Sequence, residues 1–333
     1  MIKFGIVSRD QIRAHAKELR SGRRFSPFLA FTLLRDFDEN LSGTGYDELD
    51  LVYGNIPGGP RLIKGTAVDR YDSVDGALVE EMEKIFPADC PLRVHDMAAS
   101  SAITSLDFFE RLKHRNNVRF HATDYYDALY AVAVLGSRWE VVFDAEHRPL
   151  QFVGKRMVIQ ASGFDTTARI RYPINWAMQR ILLAALLPKA LAVLEADAAK
   201  DGAKNGDRVQ RIRLFHPRCI AATRGDSRFT LGRDDLFDPA SGSYEVVRAM
   251  GVARFLPPDR IEPMFRAVSE HIVEGGLLIV GGPSIIRSRT SVPTSIFQRR
   301  GGRFVLIRDV VDGYPHKKLL LGLDLTANAG SPN

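Results

Sequence analysis

Cysteine is almost missing from this chain: Cys90 and Cys219 are the two among 333 residues. Two thiols cannot build a disulfide framework or a four-thiolate zinc site, so the simplest reading is a reducing compartment. Long apolar runs are also missing. Ile181 to Leu187, among the longest, has seven residues and stops at Pro188-Lys189, far short of the ~20 that a membrane span needs. The opening Met1-Ile2-Lys3-Phe4-Gly5, with Arg9-Asp10 soon after, holds no secretory apolar core. These absences predict a cytoplasmic protein with no membrane span. No His/Cys/Asp/Glu cluster has metal-ligand spacing, which argues against a bound metal. Ser100-Ser101 lacks a G-x-S-x-G frame, which disfavours serine hydrolase chemistry. No G-x-G-x-x-G occurs, which disfavours a dinucleotide oxidoreductase.

What is present is an ordinary globular composition. Hydrophobic residues make up 45%, enough to bury a core, and the length suits one large domain with additions or two domains. Forty-six Lys+Arg against 40 Asp+Glu give a net charge of +6. Small clusters at Arg20, Arg23, Arg24 and at Arg299, Arg300, Arg303 could grip phosphates. They are interleaved with acids and no nucleic-acid module accompanies them, so a solvated face is the better reading.

The first 90 residues read as a mainly helical cap, with helices near Arg9–Leu19 and Pro27–Arg35 and a third from Asp75, its cap, through Phe86. From Pro91 the texture changes to strands separated by helices, which means a parallel sheet with right-handed crossovers. The strands expected are Leu92–Met97, Val118–Ala122, Phe229–Leu231, Tyr244–Val247 and Leu277–Val280, with helices over Ile103–Leu112 and Pro258–Val273. Thr294–Arg299 and Arg303–Val310, joined by Gly301-Gly302, form a closing hairpin that Lys318–Leu323 could extend. An insertion occupies 125–226. It holds a hairpin, Trp139–Phe143 with Leu150–Val153, then the apolar helix Trp176–Ala196, and Arg211–His216 re-entering the sheet. Asp197–Asp207 reads as a surface loop, and the tail from Ala327 should fray.

Between Asp75 and Leu323 the chain resembles the class I S-adenosylmethionine-dependent methyltransferases. The points of resemblance are Val94-His95-Asp96-Met97-Ala98-Ala99-Ser100-Ser101-Ala102 after the first strand and Asp124 ending the second. Asp235-Leu236-Phe237 follows the third, Tyr244-Glu245-Val246-Val247-Arg248 forms the fourth, and Glu274-Gly275-Gly276-Leu277-Leu278 enters the fifth. The resemblance implies a doubly wound, mainly parallel, Rossmann-like α/β sheet of seven strands closed by an antiparallel hairpin, spanning 91–325. It implies S-adenosylmethionine as cofactor. Where that family carries three alternating glycines, this chain has Ala98, Ser100 and Ala102. All three are small, so close approach of the backbone stays possible, but a left-handed conformation is harder.

By the same resemblance Asp96 orients the cofactor's amino group, Asp124 accepts its ribose hydroxyls, and Asp235 accepts the adenine amino group with Leu236 or Phe237 on the ring. Each residue also has a plain structural role open to it. The turn could hold no ligand, Asp124 could cap the next turn, and Asp234-Asp235 could cap a helix. Arg248 could hold an anionic substrate or bridge to Glu245 or Asp259. His216 is the best general-base candidate, while His95 and His121 read as core residues. Trp176 leads a helix that could be a lid, a homodimer face, a membrane-surface element or core, the membrane reading being the weakest because its polar face is poor in Lys and Arg until Lys189. The function that follows is methyl transfer to a small or medium-sized molecule, with the insertion covering the site. The alternative is a non-catalytic scaffold that keeps the fold.

Overall fold

The computed structural model describes residues 6–7, 31–37, 50, 52–57, 63–155, 157–161, 173–198, 208–239, 242–282 and 292–326. In chain order its elements begin with β1 (Ile6–Val7), β2 (Phe31–Thr32), β3 (Asn55–Pro57), β4 (Ile63–Gly65), α1 (Asp72–Ile85), β5 (Leu92–Met97), α2 (Ile103–Leu112) and β6 (Val118–Thr123). There follow β7 (Ala128–Ala133), β8 (Trp139–Phe143), β9 (Pro149–Gly154), β10 (Val158–Gln160), α3 (Pro173–Ala198), β11 (Val209–Arg213) and α4 (Pro217–Gly225). The last are β12 (Phe229–Gly232), β13 (Tyr244–Met250), α5 (Pro258–Glu270), β14 (Ile272–Gly281), β15 (Thr294–Arg300), β16 (Arg303–Val310) and α6 (Lys317–Leu321).

The chain divides into two compact units, one of Met1–Thr66 with Tyr126–Pro217, the other of Ala67–Tyr125 with Arg218–Asn333. The boundary expected at residue 90 therefore falls at 66/67. Helix α1 belongs with the large sheet because its apolar stripe, Val74, Ala77, Leu78 and Met82, is buried and its Asp75 reaches a strand of that sheet.

The second unit is built on seven strands in the order β12-β6-β5-β13-β14-β15-β16. The first five are mutually parallel, β15 runs antiparallel to β14, and β16 antiparallel to β15. This is the expected doubly wound sheet with its closing hairpin. From β5 the chain moves outward to β6 and β12, then returns to the other side of β5 as β13. That reversal makes the β5/β13 boundary the switch point where open α/β sheets leave a crevice outside their carboxyl ends.

Both faces of the sheet are covered. On one, Phe108 and Phe109 of α2 pack edgewise on Phe120, and Phe109 also packs at a tilt on Phe229, the register partner of Phe120 on β12. On the other, Met264, Phe265 and Val268 of α5 join Val247, Leu278, Val280 and Phe297. The segment after β16 does not extend the hairpin: Lys317–Leu321 is helical and buries Leu320 in the same cluster, with Leu323 beyond it.

The first unit carries an antiparallel sheet, β10-β9-β8-β7-β11. The expected hairpin is present as β8–β9. Residues 211–216 do not rejoin the parallel sheet; β11 pairs antiparallel with β7, matching Val209 to Val132 and Ile212 to Leu129. Helix α3 lays Leu182, Leu186, Ala190 and Leu194, one turn apart, against Phe143, Phe152 and Ile159. Its segment Trp176–Asp197 is long and apolar enough to cross a membrane by length and composition, with mean hydropathy 1.6. It also carries Pro188 and Lys189 midway and packs one stripe on a sheet, while 22% of the apolar window is buried and Ile174 and Ile181 are exposed. Of the helix expected at 27–35, the described part forms β2 and the start of a single 3₁₀ turn, Leu34–Asp36. The helix expected at 9–19, the loop at 199–207 and the tail from 327 lie outside the described residues.

Candidate functional site

At the switch point the chain leaves β5 through Ala98 (φ 54°), Ser100 (φ 59°) and Ala102 (φ 62°), three L-residues in the left-handed region at alternate positions. Each costs roughly 1–2 kcal/mol relative to an ordinary conformation. These are the positions where the sequence has Ala, Ser and Ala in place of glycine. The turn is tied down by its backbone. Ala99 N–H donates to Thr123 O (2.8 Å), Ser100 N–H to Asp124 Oδ2 (2.8 Å), and Ala102 N–H to Ala99 O (2.9 Å). The Ser100 and Ser101 hydroxyls are buried without a hydrogen-bond partner. Strain held this way is characteristic of a site rather than of a passive connection.

Asp124, at the end of β6, is 1% exposed. Its carboxylate secures the turn, and its own N–H donates to Gly232 O (3.2 Å), so one residue ties together the ends of β5, β6 and β12. After β12, Asp234 Oδ1 accepts Asp235 N–H (3.0 Å) and Asp235 Oδ1 accepts Phe237 N–H (2.9 Å). The pair shapes a loop that packs Leu236 and Phe237, both half-buried, against the same apolar cluster that Ala98 joins. The Arg260 guanidinium lies 4.2 Å from the Phe237 ring centroid. The fold thus brings Ala98, Ser100, Asp124, Asp235, Leu236 and Phe237 to one edge.

Arg248 is not a substrate ligand. It is 0% exposed, and register places it directly beside Asp96 on the neighbouring strand. Its guanidinium donates to Asp75 Oδ1 (2.5 Å), Asp96 Oδ2 (2.6 Å) and Thr104 O (2.9 Å), while Ser105 Oγ donates to the same Asp96 oxygen (2.5 Å). Phe108 and Tyr71 cover it, with centroids 5.0 and 5.6 Å away. Asp75, read from the sequence as a cap, is the buried partner of this arginine; Tyr71 holds the cap position. The available signal was a lone arginine in an apolar strand, which needs an acid. Asp75 also borders an open cavity of about 280 Å³ whose other walls are Asp69, Asp72, Asp107, Glu110 and Arg111. Among the described residues, no group of three or more His, Cys, Asp or Glu is placed to hold a metal ion.

On the opposite sheet face His95 is fully buried, with Nε2 2.9 Å from Thr123 Oγ1 and 3.5 Å from Asp234 Oδ2, and its ring against those of His121 and Tyr244. Burial pulls its pKa from 6.5 down to about 3, with His121 nearby adding to the shift. Between those values the unfolded imidazole is protonated and the folded one is not, so its contribution to stability rises with pH, by about 1.4 kcal/mol per unit. Asp75 acts in the opposite direction. Burial raises it from 3.8 to about 6, so across that window the folded state holds a proton that the unfolded state has released. His95→Gln is therefore expected to gain stability over wild type as pH falls from 7 to 4, by roughly 3 kcal/mol at pH 4. Urea unfolding at three pH values checks this; an offset that does not change with pH would contradict it.

His216 and Trp176 belong to the other unit. His216 Nε2 lies 3.2 Å from Asp50 Oδ1 with its ring against Tyr53, and the residue is 1% exposed. Trp176 stands on α3 and is 39% exposed.

No protein-family model and no curated protein matches the chain. Among solved structures it is similar to a candidate O-methyltransferase of Nostoc punctiforme PCC 73102, with 12% identity and TM-score 0.30 over 64% of this chain and 37% of that one. It is also similar to an amino pentose methyltransferase of Micromonospora echinaspora, with 11% identity and TM-score 0.27 over 70% and 65%. A third is the magnesium protoporphyrin IX methyltransferase of Synechocystis PCC 6803, with 9% identity and TM-score 0.28 over 80% and 71%. The chain spans less than two thirds of the length of the first two. The last two of these methyltransferase structures hold S-adenosylmethionine and its demethylated product, respectively.

Proposed function

We propose that the chain binds S-adenosylmethionine at the edge formed by Asp96, Ala98, Ser100, Asp124 and Asp235, and passes its methyl group to a small or medium-sized acceptor. The observation that carries this reading is the left-handed backbone at Ala98, Ser100 and Ala102. A chain that holds a glycine-type turn with L-residues at the switch point keeps a backbone surface on which a ligand can lie closely. The residues present fit the group: a small-residue turn, a carboxylate at the end of the second parallel strand, and a loop presenting Leu236 and Phe237. When bound, the cofactor supplies a methyl group on a positively charged sulfur. Asp124 would hold the turn and the ribose end and Leu236 or Phe237 the adenine, while Asp96, bonded to Arg248 and Ser105, would support the turn from beneath. Such transfer draws mainly on alignment and on exclusion of water, so it needs few catalytic side chains.

We propose that the inserted residues, His216 and Trp176 among them, serve the acceptor, and Trp176→Ala is expected to impair turnover more than cofactor binding. A scaffold without activity is the second reading, supported by the near-complete burial of Asp96 and Asp124. Native mass spectrometry of the purified chain separates the two. Co-purified S-adenosylmethionine or its demethylated product supports the first, and a folded chain that takes up neither when supplied supports the second. Asp124→Ala is expected to weaken binding by about 1–3 kcal/mol, because the turn loses a charged acceptor. Unchanged affinity in a folded variant would remove Asp124 from the site.

A further inference from the structure

Beneath the turn the protein buries one negative charge more than it neutralises. Asp75 and Asp96 both bond the Arg248 guanidinium, and the three residues are 1%, 2% and 0% exposed. Two carboxylates on one guanidinium leave an excess of −1 where water does not screen it. Among the described residues Arg111 also pulls on Asp75, more weakly than Arg248 does, and Arg218 acts on the neighbouring Asp107. Asp72 shares helix α1 with Asp75, and Asp69 and Tyr71 precede it; Asp107, Glu110 and Arg111 come from α2, Asp96 from β5 and Arg248 from β13. Arg111 is itself paired with Asp72. Asp75 therefore belongs both to the buried ion group and to the wall of the acidic cavity.

We propose that Asp75 is a proton-linked positioning residue: it carries a proton in the ligand-free chain and releases it when a cationic ligand occupies the neighbouring site. The inference rests on the reading that S-adenosylmethionine lies along Asp96–Ala102. Burial, together with the Asp96 charge, lifts the Asp75 carboxyl to about 6 against the pull of Arg248, so near pH 6 the free chain holds about half a proton there. S-adenosylmethionine carries a sulfonium, an ammonium and a carboxylate, for a net charge of +1; its demethylated product has no net charge. A unit positive charge bound nearby, in an effective dielectric of about 20, lowers a buried carboxyl pKa by roughly 1–2 units. The proton passes to solvent, Arg248 then sits between two carboxylates, and the ligand completes the charge balance. No bond in the ligand changes. The site would thereby favour the methyl donor over the spent product.

Calorimetric titration at pH 6.0 in phosphate and in imidazole, whose ionisation enthalpies differ, reads the protons exchanged. Wild type is expected to release about half a proton on binding S-adenosylmethionine and clearly less on binding the demethylated product. Asp75→Asn keeps a hydrogen-bonding group toward Arg248 and is expected to release none, with a smaller preference between the two ligands. Binding without proton release, or the same release from Asp75→Asn, would overturn the role of Asp75 and leave the cofactor reading standing. No binding of either ligand would instead remove the cofactor reading, and this inference with it. Should Asp75→Asn not fold, wild type alone decides: release must be largest at about pH 5–5.5, midway between the free and ligand-bound values, and vanish by pH 8.

Discussion

Arg248→Met is expected to lower the free energy of unfolding by about 3–5 kcal/mol, the largest effect of any single substitution considered. Methionine fills much of the arginine volume, so the loss comes from charge rather than from a cavity. Asp75 and Asp96 would face each other across a closed space, with the Thr104 carbonyl also losing its donor. Asp75→Asn in the same chain should recover part of the loss by removing one of the two stranded charges, so the effects of the two substitutions should not add. Urea unfolding of wild type, both single variants and the double variant measures the coupling. Additive losses would mean that the three side chains are not one unit.

The second large effect is expected to be a gain. Replacing Ala98, Ser100 and Ala102 together by glycine should raise stability by about 2 kcal/mol. Each glycine relieves roughly 1–2 kcal/mol of left-handed strain and gives back about 0.5–1 kcal/mol in chain entropy. Ala99 lies inside the same turn without a positive φ, so Ala99→Gly should instead destabilise by up to about 1 kcal/mol. Opposite signs at adjacent positions are the signature of conformation rather than of packing. Ligand affinity in the triple variant should be equal or tighter, since less side chain lies against the turn. A triple variant less stable than wild type would show that the Cβ atoms contribute contacts worth more than the strain they cost.

The parallel strands were readable because each buried one is a short apolar run bounded by polar or glycine turns, and β5, β6, β12, β13 and β14 appear close to where that pattern puts them. The antiparallel sheet of the other unit was only half visible. Strands β8 and β9 carry a local turn, but β7 and β11 are joined by a pairing between Ala128–Ala133 and Val209–Arg213 that no local pattern encodes. The segment 317–323 misled because Lys318–Leu323 has strand-like apolar content, whereas docking on α5 favours a helix.

At the site, the small residues of the turn and the acids at strand ends were legible as a pattern, whereas the direction of each side chain was not. Arg248 and Asp96 look like ligand-facing groups in one dimension. Only the register of β5 with β13 shows them turned into each other under α1 and α2. Asp75 was hidden for the same reason. An acid in the first turn of a helix suits a dipole role, and nothing nearby in sequence announces a partner 173 residues away.

Calorimetric titration of S-adenosylmethionine into the wild-type chain tests the central claim most directly. The account predicts one saturable site per chain, weakened in Asp124→Ala, with no binding of NAD under the same conditions. A folded chain that binds neither S-adenosylmethionine nor its demethylated product would contradict it, and the strained turn at Ala98–Ala102 would then belong to a scaffold.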